Sequence, residues 1–125
     1  MKILVVDDMS SMRQVMNHML TSLGYNNPDE ASCGIQALKM LRLSDYDLLI
    51  TDLHMPNLNG EQLLSKVRGD KDLHKLPVLM VSSEDDKAKI MGLIAGEVTG
   101  FMVKPFSLNT LKKQLSWIQS KTNIA

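Results

Sequence analysis

Short, uniformly apolar runs alternate along this chain with longer stretches in which apolar residues recur every three or four positions. Ile3–Val6 and residues 48–51, 78–81 and 101–103 are of the first kind, each bounded by charged residues, Pro, Gly or Ser. Runs of that length with no polar alternation read as strands buried on both faces, as in parallel sheets. Around residues 29–32 the strand signal is weaker, and a short second strand is expected there. The second kind of stretch begins with Met12, Val15, Met16, Met19, Leu20 and Leu23, all at helical spacing. Ser10 or Ser11 can cap that helix, Gly24 can end it, and the stripe leaves Arg13, Asn17, His18 and Thr21 toward solvent. Ala37, Leu38 and Leu41 predict a helix over 34–42, and Leu63, Leu64 and Val67 another from about Gly60 to Arg68, followed by a polar loop over 69–75. Residues 85–95 read as helical, with Ile90, Met91, Leu93 and Ile94 spread around the circumference. Leu108, Leu111, Leu115 and Ile118 stripe a C-terminal helix.

Five apolar runs alternating with five helical patterns imply βαβ units, right-handed crossovers and an α/β fold: a parallel sheet with helices on both faces. The carboxyl ends of the first, third, fourth and fifth runs then carry Asp7 and Asp8, Asp52, Ser82, and Lys104. In open parallel sheets that edge is where ligands bind. The centre of the arrangement is the stretch 48–60, an apolar run that ends on the single acid Asp52 and passes at once into a Pro/Asn/Gly turn.

Composition narrows the class. The 125 residues make one domain, 1–125, with 44% hydrophobic and 22% charged residues, a globular balance. Fourteen basic residues offset fourteen acidic ones, so bulk charge does not call for nucleic acid or an anionic membrane. Cys33 is alone and can form no internal disulfide, and it suggests no zinc site. Ile3–Val6 is too short for a signal-peptide core, and no run reaches membrane-spanning length, so a cytoplasmic protein is expected.

Three carboxylates gathered at one sheet edge repel one another by roughly 4 kcal/mol per pair at about 4 Å and an effective dielectric near 20. They could protonate, or they could bind a cation, and hard divalent metals prefer oxygen ligands. Mg²⁺ in particular takes one or two carboxylates, waters and a phosphate oxygen. Lys104 would steady Asp52 as an anion and could contact a phosphoryl oxygen, and Ser82 offers a hydroxyl. A carboxylate nucleophile with a cation, a lysine and a hydroxyl matches the needs of phosphoryl transfer onto an acyl oxygen. Each group alone has a plainer reading: Asp-Asp as a helix cap or turn, Ser82 as a turn residue, Lys104 as a solvated charge. Convergence from four strand ends favours the functional one. His18 and His74 have no metal-ligand partner at useful spacing, and His54 is expected at the pocket rim as a modulator.

Val5-Val6-Asp7-Asp8, Asp52-Leu53-His54-Met55-Pro56 with Gly60, the run 77–82 and Lys104-Pro105-Phe106 together resemble the receiver domain of two-component response regulators, and most nearly its stand-alone chemotaxis members. The resemblance covers essentially the whole chain in order and spacing. It implies a single-domain, flavodoxin-like, doubly wound five-stranded parallel sheet of order 2-1-3-4-5 with five helices, an order carried over from the family and not read from the pattern. It implies that Asp52 accepts a phosphoryl group from a histidine kinase. Asp8 and Asp52 would bind Mg²⁺ directly, Asp7 through water, and the backbone carbonyl of His54 would complete the protein ligands. Ser82 and Lys104 would hold the phosphoryl oxygens, Lys104-Pro105 would be cis, and Phe101 would be the aromatic switch that turns inward when Ser82 moves. The output would be a population shift on the face of the fourth helix, fifth strand and fifth helix.

Several positions depart from the family's habit. Phe101 stands where chemotaxis members usually have Tyr, Ser82 where Thr is more frequent, and His54 where Asn is typical. With Glu84, His54 is expected to tune access of the hydrolytic water. Gly96 and Gly100 are four apart in place of the usual three, which alters the loop into Phe101. Trp117, near Gln114 and Lys121 and off the apolar stripe, is either partly buried filler or an exposed aromatic anchor for a partner. The resemblance implies a monomeric signalling phosphoacceptor with slow self-catalysed phosphoryl transfer and autodephosphorylation, not an enzyme, partnered by a kinase, a phosphatase and the flagellar switch protein. Two alternatives stay open. One is a phosphate sink or relay intermediate that does not bind the flagellar motor. The other, of a different class, is an aspartyl-nucleophile phosphatase, which usually needs a second acid where His54 stands.

Overall fold

The computed structural model describes residues 1–83, Gly92 and 97–122. Its elements are β1 (Ile3–Val6), α1 (Ser10–Ser22), β2 (Asp29–Ala31), α2 (Gly34–Leu43), β3 (Leu48–Asp52), α3 (Gly60–Gly69), β4 (Val78–Ser82), β5 (Gly100–Val103) and α4 (Leu108–Thr122). All strands run parallel in one sheet of order β2-β1-β3-β4-β5. Four helices are seen among the described residues; the helix expected over 85–95 lies outside them apart from Gly92, which is helical. No helix of the described residues is long and apolar enough to cross a membrane.

The two-residue period of a strand divides each run between two cores. Leu4 and Val6 of β1 join Leu49 of β3 and Val78 and Met80 of β4 under α2 and α3, which contribute Ala37, Leu38, Leu41, Leu63, Leu64 and Val67. Ile3, Val5, Leu48, Ile50, Leu79 and Val81 point the other way, under Met16 and Leu20 of α1 and Leu111, Leu115 and Ile118 of α4. The runs of β1, β3 and β4 are thus buried on both sides, which is why they lack polar alternation; in β5, at the sheet's edge, Met102 is buried but Phe101 is half-buried and Val103 exposed.

The helix ends hold corrections. Neither Ser10 nor Ser11 caps α1: the cap position is Met9, with no side-chain cap hydrogen bond, and both serines lie in the helix. At the other end Gly24, at φ 96, turns the chain so that Tyr25 N–H reaches the Leu20 carbonyl at 2.9 Å. The α1 stripe is narrower than expected. Met16 and Leu20 are buried, but Val15 is exposed. Arg13 and Asn17 do not face solvent. Each is partly buried against β2, where Glu30 meets them. Leu108 at the start of α4 is likewise exposed, leaving the buried stripe to Leu111, Leu115 and Ile118. For α3, Asn59 accepts from Gln62 N–H at 2.8 Å while the Gln62 side chain accepts from Asn59 N–H at 2.9 Å, a reciprocal cap that fixes where the helix leaves the turn after β3.

Candidate functional site

Register assembles the site. Val6 of β1 lies beside Thr51 of β3, so the next residues, Asp7 and Asp52, emerge together at the carboxyl edge. Ser82 ends β4 beside Val103 of β5, and Lys104 follows with its N–H on the Ser82 carbonyl at 2.7 Å. Asp7 and Asp52 are buried and Ser82 wholly so, whereas Asp8 is exposed. One carboxylate oxygen from each of Asp7, Asp8 and Asp52 lies within 4.8 Å of the others.

Lys104 sits between two of the acids, its Nζ 3.1 Å from Asp7 Oδ2 and 3.2 Å from Asp52 Oδ1. Its ammonium reaches both but brings one positive charge against their two negative ones. Burial pushes the Asp52 carboxyl above its ordinary range; Lys104 pulls it down and Asp7 pushes it further up, with the upward effects prevailing. The floor explains the desolvation, since Val5, Ile50, Val81, Met16 and Phe106 line the space beneath Asp52 and Lys104. Burial alone would lower the Lys104 ammonium, but the two carboxylates outweigh it and its pKa is raised. The four groups therefore hold three potential negative charges against one fixed positive one. Such an all-oxygen donor set, open on the Asp8 side, suits a hard divalent cation such as Mg²⁺.

Two further features frame the site. Gly60 begins α3 where a Cβ would collide with the Asp52 carbonyl oxygen and come within 2.8 Å of Leu53 Cα and 2.9 Å of Met80 Sδ. Only glycine lets α3 close against the end of β3 at that spacing. Its N–H donates to the Leu53 carbonyl at 2.9 Å. Asn57, in the turn between, has φ 67, a left-handed conformation that asparagine tolerates. The Lys104-Pro105 bond is cis, as the family resemblance implies.

The remaining candidates separate in space. His54 is exposed at the rim. Glu84 lies outside the described residues. Phe101 is half-buried and packs against the core under α2 and α3. It also lines an open groove of about 520 Å³ with Val98, Thr99, Gly100, Gln114 and Trp117. Trp117 is 53% exposed, with Lys121 Nζ 5.3 Å from its ring centroid, so the reading as partly buried filler does not hold. Sequence reasoning missed Arg13, whose Nη1 donates to the Asp7 carbonyl at 2.7 Å. Its position among polar residues of α1 gave no signal of that contact.

A family model for the response regulator receiver domain matches residues 3–116. The chain is 44% identical over 118 residues to chemotaxis protein CheY-3 of Vibrio cholerae, covering 94% of this chain and 91% of that one. It is 42% identical over 123 residues to chemotaxis protein CheY of Pseudomonas aeruginosa, covering 98% and 99%. Among solved structures, chemotaxis protein CheY4 of V. cholerae superposes with a TM-score of 0.84 at 34% identity, over 94% of this chain and 97% of that one.

Proposed function

The chain belongs to the response regulator receiver domains and is CheY-like, and from that premise we propose that it is a chemotaxis response regulator phosphorylated on Asp52 by a histidine kinase with Mg²⁺ as cofactor. The observation that carries the reading is the shared lysine: Asp52 and Asp7 hold Lys104 between them, Asp8 stands beside them, and Asp52 is still held above the ordinary carboxylate range.

The residues divide the work. Asp52, at the end of β3, supplies the carboxylate oxygen that attacks phosphorus as the kinase's N–P bond breaks, the imidazole of the phosphohistidine leaving with the electron pair. Mg²⁺ held by Asp8, Asp52, the His54 carbonyl and, through water, Asp7 would supply positive charge for the phosphoryl oxygens. Lys104, pinned to Asp7, can give its contact with Asp52 Oδ1 to a phosphoryl oxygen without leaving the site. Ser82 would bind another with its hydroxyl, and its displacement toward the phosphate would let Phe101 turn inward. His54 and Glu84 would govern how water reaches the acyl phosphate. Phe101, Gln114 and Trp117 share one groove, and Lys121 stacks on Trp117, which supports this face of β5 and α4 as the surface read by a flagellar switch protein.

Labelling with a small phosphodonor tests the reading. Asp52→Asn should abolish incorporation while circular dichroism stays that of the wild type. Undiminished labelling would put the acceptor elsewhere. Addition of a phosphoryl mimic should raise affinity for a flagellar-switch peptide at least tenfold; no gain would favour a phosphate sink or relay role.

A further inference from the structure

Arg13 is in the first turns of α1, among residues whose pattern points to solvent, yet its side chain is only 17% exposed. Its guanidinium makes two directed contacts. Nη1 donates to the Asp7 carbonyl at 2.7 Å and Nε donates to Glu30 Oε1 at 3.0 Å. The other Glu30 oxygen accepts from Asn17 Nδ2 at 3.3 Å, so the carboxylate that aims the guanidinium is itself held from α1. Glu30 sits on β2 in register with Val5 of β1, two residues before Asp7.

The carbonyl that Arg13 grips belongs to the peptide joining Asp7 to Asp8. The rest of Asp7 is already fixed: its N–H donates to the Ala31 carbonyl at 3.2 Å, Oδ1 accepts from Met9 N–H at 2.9 Å, and Oδ2 faces Lys104 at 3.1 Å. Sheet pairing stops at this residue, and Asp8, the next one, is exposed. The direction in which Asp8 leaves the backbone therefore depends on the rotation of the Asp7–Asp8 peptide. Arg13 holds that peptide from outside the sheet.

We propose that Arg13, aimed by Glu30, is a positioning residue for the acidic cluster: it fixes the Asp7–Asp8 peptide and so presents the Asp8 carboxylate to the divalent cation. This rests on reading the cluster as a cation site. A planar fork can hold Glu30 and the Asp7 carbonyl at once, whereas a lysine ammonium on a flexible stem lacks that fixed geometry. Electrostatics alone makes the opposite forecast. A positive charge beside a cation site repels the cation, so removing it should tighten binding.

Calorimetric titration with Mg²⁺ of the wild type, Arg13→Gln, Arg13→Lys and Glu30→Gln decides between them, with melting temperatures measured in EDTA. Positioning requires that Arg13→Gln weaken Mg²⁺ binding at least fivefold despite the lost positive charge, and that Arg13→Lys weaken it several-fold with charge unchanged. Glu30→Gln, which leaves Arg13 in place but unaimed, should weaken it in the same direction. Equal or tighter binding by Arg13→Gln, or wild-type affinity in Arg13→Lys beside a lowered melting temperature, overturns the proposal and leaves Arg13 a structural tie. If Arg13→Gln does not fold, the Lys variant decides alone. Failure of the cation site looks different: the wild type would then show no Mg²⁺ binding, or Asp8→Ala would bind as tightly as the wild type, and the proposal would go with it.

Discussion

The two edges of this one sheet carry similar residue types and use them in opposite ways. At the amino edge, Lys2, Asp29, Tyr46 and Asp47 each meet a partner near the surface. Asp47 accepts from the Lys2 N–H at 2.6 Å, the Lys2 ammonium lies 4.7 Å over the Tyr46 ring, and the Tyr46 hydroxyl donates to Asp29 Oδ2 at 2.6 Å. At the carboxyl edge a single ammonium is divided between Asp7 and Asp52, with Asp8 close by. The amino edge also has a groove of about 330 Å³, whose lining includes Asp45, Asp47, Asp72 and Lys75 beside Tyr46 and Leu76. Concavity is therefore not what distinguishes the functional end. Buried charge is: Asp45, Asp72 and Lys75 of the amino edge are exposed to water, whereas Asp7 and Asp52 of the carboxyl edge are buried together around one ammonium.

The comparison is broken most severely at Gly60. In Gly60→Ala the new methyl meets the Asp52 carbonyl, backbone that cannot yield cheaply, so urea unfolding should show a loss of about 3 kcal/mol. Mg²⁺ affinity should fall with it, because α3 and the end of β3 must move apart. Wild-type stability in this variant would mean that the turn gives way more readily than the packing implies.

Asp8→Ala should weaken Mg²⁺ binding tenfold or more, roughly 1.4 kcal/mol, while stability in EDTA holds or rises because one carboxylate has left a repelling cluster. Unchanged affinity would take Asp8 out of the metal's coordination. A third prediction concerns pH. The folded chain keeps a proton on Asp52 to higher pH than the unfolded chain, since burial raises that carboxyl. Folding then takes up a proton, and this residue's contribution to stability is full below the ordinary Asp range and lost as pH rises from there through its raised folded value. Without metal, Asp52→Asn should gain little over the wild type near pH 3 and an increasing margin at higher pH. A margin that does not vary with pH would place the strain elsewhere.

The smallest effect is expected where demand is already met. Tyr46→Phe removes the hydrogen bond to Asp29 and should cost about 1 kcal/mol, with Mg²⁺ binding untouched. Burial and Asp29 push the Tyr46 phenol up to about 12. Its stabilising contribution is thus intact below pH 10 and lost as pH rises through 12, which phenolate absorbance can follow beside unfolding. Weakened Mg²⁺ binding in this variant would show that the two edges are coupled through the sheet.

The expected architecture is seen in the structure because its signals are local. An apolar run with no alternation means burial on two faces, and the Pro, Asn and Gly after Asp52 mark where the strand stops, whatever happens elsewhere in the chain. Where local signals fail, they fail against the same physics. Ser10 and Ser11 are good capping residues but stand one and two positions too far along, and Met9 occupies the cap. Val15 fits the helical period but lies beyond the strip that the sheet covers.

Chain pattern by itself determined that Asp7, Asp8, Asp52, Ser82 and Lys104 would gather at one edge, because parallel strands present their carboxyl ends together. Tertiary structure decided what the gathered groups do to one another. Lys104 reaches Asp7 across 97 residues of sequence, and its position between two acids depends on register and side-chain reach, which no periodicity encodes. The same holds for Arg13, polar among polar residues until β2 brings Glu30 alongside and turns it toward the Asp7 carbonyl. Local pattern reports which face of an element meets the core. How strongly a charge is satisfied depends on distances of a few ångströms between distant segments, and only the folded chain sets those.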